Sequence, residues 1–459
     1  MKYFKKIYIC GILLCLNITF GFAENEAPEP EEKSIFPALI GGIFTNTVFN
    51  VTARIFGADF AKTGIDSIYT NLTSRWEWDN DTFLFNHPGH PYQGGLYHAA
   101  ARSNGFNFYE SIPFDFIGSL TWELFGENKL PSINDLIVTT FGGAAFGEML
   151  YLLYLEVPSP WAGVFVSPMA ALNNAVFRKT PMRTNNLYHL SVMTYGGWIR
   201  TIKEDRQYIR DMDNRSDLTY IFTPNVGATV IYGNPFNQNS KKPYSHFEIL
   251  MQFGISFYPL WLDWTLLTDG YLLSWNPVHT EKDVLSTGLT FHYDFIAGNN
   301  TNFASNALNW SLKWKRYFTD TRLELRSHVG WMILGSSEYY PFTERIGNFL
   351  EVGESENNYG TGTNFKLFFS LYNQKYGNIN LGYCNYLMYI FSLGKIEKIP
   401  FDYFSLLFID YSYSFTNNLS IVLNNSLYVK SGISHRGTNV VSIANRILLG
   451  VRWTFLNRG

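Results

Sequence analysis

The residues best equipped for chemistry lie between positions 86 and 148. There the chain reads Asn86-His87-Pro88-Gly89-His90-Pro91-Tyr92, followed by His98, Arg102-Ser103, Glu110-Ser111, Ser119, Glu123, Glu127, Asp135 and Glu148. Three readings are open. Glu123 and Glu127 stand four apart, on one face if the segment is helical. With Glu148 or Asp135 from a neighbouring helix and His90 or His98, they would form an acid/base pair or a hard-metal site. Imidazole and carboxylate suit zinc or iron. However, His87 and His90 sit among the prolines at 88 and 91, and no His-Glu-x-x-His spacing occurs. No metal and no cofactor is therefore assigned.

The second reading is hydrolysis or acyl transfer on a lipid, using Ser111 or Ser119 with a histidine. The stretch has no Gly-x-Ser-x-Gly elbow to support it. The third reading is structural. Carboxylates buried among apolar helices need partners, and Arg102 is available to Glu123 or Asp135. Gly142-Gly143 and Gly147 would let helices approach closely. The catalytic candidates are His90, Arg102, Glu123, Glu127, Asp135 and Glu148.

The same stretch resembles a bacterial family known as domain-of-unknown-function family 3943. The resemblance rests on Gly89-His90-Pro91-Tyr92, Gly95, Tyr97, Arg102-Ser103, Gly105, Trp122-Glu123, Glu127, Pro131-Ser132-Ile133, Asp135-Leu136 and Gly147-Glu148. It implies a domain of secreted envelope proteins and supplies no mechanism, because the family has no established activity.

The elements that must position these residues are of two kinds. From Ser34 to about Thr180 the pattern is helix-like, most clearly over 107–127 and 132–155. Ser132 is placed to cap a helix, with Asp135 as its capping-box partner. Residues 34–53 carry no charge, which just reaches spanning length. Pro37, Gly41-Gly42 and the Asn and Thr residues at 45, 46, 47, 50 and 52 favour instead a helix lying on membrane or packed on a barrel.

From Leu187 the chain alternates apolar and polar residues at period two. In 246–257 one face holds Phe247, Ile249, Met251, Phe253, Ile255 and Phe257, and the other begins His246 and Glu248. The segments 285–295 and 322–334 repeat the pattern, and 260–275 is the least regular. About twelve strands fit into 187–456, which predicts a membrane all-β barrel preceded by an α-helical N-terminal region. Glu248, His292, Asp294, Lys313, Lys315, Glu324, Arg326, His328, Lys366 and Arg452 fall on the polar face. Tight turns at 318–320, 373–376 and 416–418 alternate with longer links, so they mark the periplasmic side and put both chain ends there. The final strand carries Gly450, Trp453 and Phe455 at the spacing of a terminal signal read by barrel-assembly machinery.

Composition agrees with this class. Aromatic residues make up 18% of the 459 and charged residues only 16%, where a soluble protein would carry roughly 25% charged. Residues 1–23 read as a cleaved secretory signal and 24–33 as an acidic, Pro-rich tether. Without the signal the chain has 32 basic and 38 acidic residues and a single cysteine, Cys384. No basic stripe points to nucleic acid, and no internal disulfide can form. The domains expected are thus a helical one over 34–180 and a barrel over 187–459.

The expected function is that of an outer-membrane barrel among membrane lipids. Periplasmic-side helices would plug, gate or anchor it, and it would pass a small or lipidic solute. Those helices are expected at the periplasmic mouth or against the inner leaflet, with at most one helix as plug. A lipid-modifying enzyme with its site in the helical domain is the alternative, and a structural envelope scaffold the third.

Overall fold

The computed structural model describes residues 33–79, 83, 85–205, 219–237, 239–257, 260–298, 301–338, 357–392, 401–433 and 439–458. The signal segment and nearly all of the acidic tether lie outside the described residues. Twelve antiparallel strands close on themselves, β1 pairing with both β2 and β12. They are β1 (Leu187–Asp205), β2 (Thr219–Tyr232), β3 (Phe247–Phe257), β4 (Leu260–His279), β5 (Asp283–Ala297), β6 (Phe303–Tyr317), β7 (Thr321–Glu338), β8 (Asn357–Asn373), β9 (Gly377–Ser392), β10 (Phe401–Ser414), β11 (Leu419–Ile433) and β12 (Asn439–Asn457).

The expected alternation sets which side chain points where. Lys313 of β6 reaches Glu248 of β3, and Arg446 of β12 reaches Asp263 of β4, contacts that only a shared lumen permits. Residues of the opposite parity, such as Trp198, Phe222, Met251, Trp331 and Leu387, face outward and are exposed. A closed sheet with an apolar exterior leaves no backbone group unpaired in lipid, which is why this pattern spans membranes. The irregular reading of 260–275 has a cause, since β4 carries register shifts at Tyr271/Leu273 and Trp275/Val278.

The three tight turns fall between β6 and β7, β8 and β9, and β10 and β11, all at one end of the barrel. That end also holds one long link, 233–246, whose Tyr244 packs on Phe108 with ring centroids 5.2 Å apart. This link is long because it meets the helices.

The helices precede the barrel: α1 (Ile35–Ile55), α2 (Ile65–Thr73), α3 (His90–Arg102), α4 (Phe108–Thr121), α5 (Ile133–Ile137), α6 (Gly143–Glu156), α7 (Pro160–Val166) and α8 (Pro168–Val176). Wider π turns at Trp122–Gly126 and Val138–Gly142 extend α4 and join α5 to α6. The helical runs expected over 107–127 and 132–155 are therefore continuous apart from these widened turns. α3 and α6 cross through glycines. A Cβ on Gly143 would sit 2.6 Å from the Gly94 Cα, and one on Gly147 would sit 2.7 Å from the Gly95 Cα. Gly143→Val is expected to cost about 1–3 kcal/mol through overpacking, read as a lower denaturant midpoint for loss of helical circular dichroism.

These helices lie against the outer wall of the barrel, not in its mouth. One row of outward residues, Val230, Ile249, Thr268, Tyr293, Asn306 and Leu334, crosses β2 to β7 along the pairing direction. All six are buried. Phe83 stacks on Phe295 (5.7 Å), and Trp78 packs on Tyr359 (5.3 Å) and Phe391 (5.0 Å). Asn86 donates to the Tyr359 hydroxyl at 3.0 Å, and the Tyr293 hydroxyl donates to the His87 carbonyl. The expected place at the periplasmic mouth, with a helix as plug, gives way to this docking. The large outward aromatics of β5 supply an apolar wall that the period-two pattern cannot distinguish from lipid-facing surface.

Candidate functional sites

The helical region holds its polar residues in a buried core. His98 of α3 sits between two carboxylates, its Nδ1 2.8 Å from Asp115 Oδ2 and its Nε2 3.1 Å from Glu148 Oε2. Arg102, one turn on, forms an ion pair with the same Glu148 oxygen, its Nε 2.7 Å away, and lies over the Tyr151 ring. Arg102 thus pairs with Glu148, where Glu123 or Asp135 was expected, because the end of α3 faces α6.

A second group gathers at the start of α5. Ser132 Oγ accepts the Asp135 amide at 3.3 Å, as a capping residue should. The return bond of the expected box is different: Glu123 Oε2 accepts the Ser132 amide at 2.7 Å. His90 Nε2 lies 3.5 Å from Asp135 Oδ1, and Asn134 bridges Asp135 and Asp79. Glu123 and Glu127 do not share a helical face, since the π turn ends at Gly126 and Glu127 is extended. At the rim, outside the helices and strands, burial and then the neighbouring Asp79 hold the Glu77 carboxyl above its ordinary range.

The six candidates are thus divided. Arg102 and Glu148 meet around His98, His90 and Asp135 meet near Asp79, Glu123 caps α5, and Glu127 turns away beyond the π turn. Glu123, Glu127, Asp135 and Glu148 are all buried. Ser111 Oγ donates to its own helix at the Asn107 carbonyl, and both His98 ring nitrogens are engaged by carboxylates. Asp115 was missed in the sequence. Its available signal was a single acid within the apolar run 112–120.

The lumen holds the larger site. A cavity of about 320 Å³ reaches the short-turn end, where Tyr188, Asn417 and Asn457 line its rim. Among the described residues, none before Tyr188 lines it. Lys315 lies 3.2 Å from Glu324, which also pairs with Arg322 at 3.1 Å, and Arg452 pairs with Asp410 at 2.9 Å. Deeper, Lys313 Nζ stands 2.8 Å from His246 Nε2, 2.6 Å from Glu248 and 2.9 Å from Asp269. Those three ligand-type groups lie within 4.8 Å of one another. The lysine ammonium occupies the position a cation would take between them.

Towards the long-loop end the lumen is filled by aromatic and aliphatic side chains, beside the buried Arg446–Asp263 pair (2.6 Å). Phe303 and Phe404 stack at 5.0 Å, Tyr386 packs on Phe303 at 4.7 Å, and Met332, Met388 and Ile390 surround them. The barrel's own residues form this closure.

Residues 75–172 match the family model described as a domain of unknown function (DUF3943). No curated protein sequence matches the chain. Among solved structures, the COG4313 outer membrane channel from Pseudomonas putida F1 is 8% identical with a TM-score of 0.32, covering 59% of this chain and 96% of that one. The toluene transporter TodX of P. putida is 7% identical at 0.24, over 59% of this chain and 90% of its own. Outer membrane phospholipase A from Escherichia coli is 8% identical at 0.25, over 57% and 92%. At such scores nothing about residues or activity carries over.

Proposed function

We propose that the protein is an outer-membrane barrel forming a gated passage for a small polar solute, with the helices as a fixed brace on its wall. The observation that carries this reading is the charged vestibule, which ends against a closure of packed aromatic and aliphatic side chains. Two stacked rings and two methionines are held by packing, which side-chain rearrangement can open without unfolding a strand. Short turns face the periplasm in barrels of this type. The vestibule therefore opens inward, and both chain ends are periplasmic. A cleaved leader over 1–23 and a tether over 24–33 fit that route. Gly450, Trp453 and Phe455 on β12 would be read by the assembly machinery, the two rings projecting outward from the wall.

The lipid-modifying alternative would need its candidate residues to converge on one opening. His90, Arg102 and Glu123 instead serve separate buried groups.

The test is single-channel conductance and liposome swelling for the wild type and Phe303→Ala/Phe404→Ala. Wild type is expected to show brief, infrequent openings. The double variant should show a sustained conductance several-fold larger. Heat-modifiable migration on gels establishes that both are folded. A folded double variant as tight as a silent wild type would remove the passage reading and leave the scaffold.

A further inference from the structure

We propose that the helical layer stands within the outer membrane, with α1 crossing the hydrocarbon beside the barrel and its outward face covered by lipid acyl chains. This holds whether or not the lumen passes a solute, since it rests on the outer wall alone.

Length comes first. The 21 residues of α1 extend about 31 Å at 1.5 Å per residue, against a hydrocarbon thickness of about 30 Å. Residues 35–53 carry no charge. Threonines such as Thr47 aside, the outward face is apolar and open along its whole length: Phe36, Ile40, Ile43, Phe44, Val48 and Val51 are exposed, Ile43 by 62%. In water this face would be unusual for a helix already docked to its own protein.

The polar residues of α1 mostly turn the other way. Asn46 donates to the Gly118 carbonyl (3.1 Å) and the Thr121 hydroxyl (3.0 Å), and it accepts from Gln93 (3.1 Å) and Tyr97. Asn50 donates to the Ala61 and Gly126 carbonyls at 2.9 and 2.7 Å. Thr45 and Thr47 bond back to their own helix. Of the residues that argue against a spanning helix by composition, Asn46 and Asn50 are satisfied by neighbouring segments and Thr45 and Thr47 by α1 itself, as polar groups in a membrane must be.

Charge is sorted to the two ends. At the start of α1, Lys33 pairs with Glu110 and Lys179 reaches the Ser103 carbonyl. In its last turn stands Arg54, and past its end come the Asp59–Lys62 pair, Asp66 and Arg75. The start lies on the short-turn side, tied through Ser34 to Asn104 and through Phe108 to the 233–246 link. The other end lies on the long-loop side, where Trp78 meets Tyr359 and Phe391. The helix thus runs between the same two faces as the strands.

Continuity identifies the occupant. The wall that the helices cover is the outward face of strands whose uncovered parts present Trp198, Phe222, Met251 and Leu387 to the membrane. A layer docked there sits among lipids, and its apolar outer face continues that belt.

The test uses the full-length protein in liposomes with single spin-labelled cysteines at Ile43 and Val51. Trp198→Cys serves as the lipid-facing reference and Tyr376→Cys, on a tight turn, as the aqueous one. Native Cys384 is fully buried. Ile43→Cys and Val51→Cys should match Trp198→Cys, with high oxygen and low nickel-chelate accessibility. A nickel-accessible label matching Tyr376→Cys at both positions would overturn the proposal by placing α1 in water. Exclusion of both reagents at both positions would overturn it too, by placing a second protein surface there.

Discussion

Replacing Glu148 with leucine is expected to loosen the helical layer while leaving the barrel closed. Glu148 is touched by both Arg102 and His98, and its carboxylate is almost completely buried. Removing it leaves the Arg102 guanidinium, without its carboxylate, facing an imidazole that keeps Asp115. Breaking a buried pair from one side costs about 3–5 kcal/mol. The sign should partly reverse when both partners go, so Arg102→Met/Glu148→Leu should recover much of the loss. The readouts are the denaturant midpoint of helical circular dichroism and the protease sensitivity of residues 34–180. Heat-modifiable migration reports the barrel separately. An unchanged midpoint in the single variant would mean that this network does not hold the layer together.

Lys313→Met should produce a loss of similar size, but in the barrel. Its ammonium is the shared counter-charge for Glu248 and Asp269 and a donor to His246. Without it, Arg326 still neutralises Glu248, while Asp269 loses its closest cation. The expected cost is again about 3–5 kcal/mol, seen as a lower temperature for the gel-mobility shift. Lys313→Ala adds a sharper test, because the vacated position leaves one imidazole and two carboxylates arranged as zinc ligands. Zinc at a hundred times its dissociation constant would return about 2.7 kcal/mol. Wild type, with the site filled by the ammonium, should show no such response. A zinc effect of equal size in both proteins would contradict the assignment.

The barrel was legible because period two is a local signal. His246 through Phe257 state both their faces without reference to any other strand, and the ten polar-face charges named from sequence all lie in the lumen. The helical runs were legible for the same reason. What could not be read was where the helices dock. Phe291, Tyr293 and Phe295 look the same to the pattern whether lipid or helix covers them. The site residues were legible as a set and misread as pairs. Arg102 had three carboxylates within a plausible fold, and only the crossing of α3 and α6 through their glycines selects Glu148. The π turn at Trp122–Gly126 removed the helical face that Glu123 and Glu127 were expected to share, and no composition cue announces such a turn.

The covered arc also bears on the order of assembly. The helices are made before any strand, yet their seat is built from β2 to β9 and does not exist until those strands have paired. They must therefore wait for most of the sheet. What they leave bare, on β10 to β12 and most of β1, includes the seam at which the first and last strands meet. The layer can settle onto the growing sheet without standing between the two edges that close it.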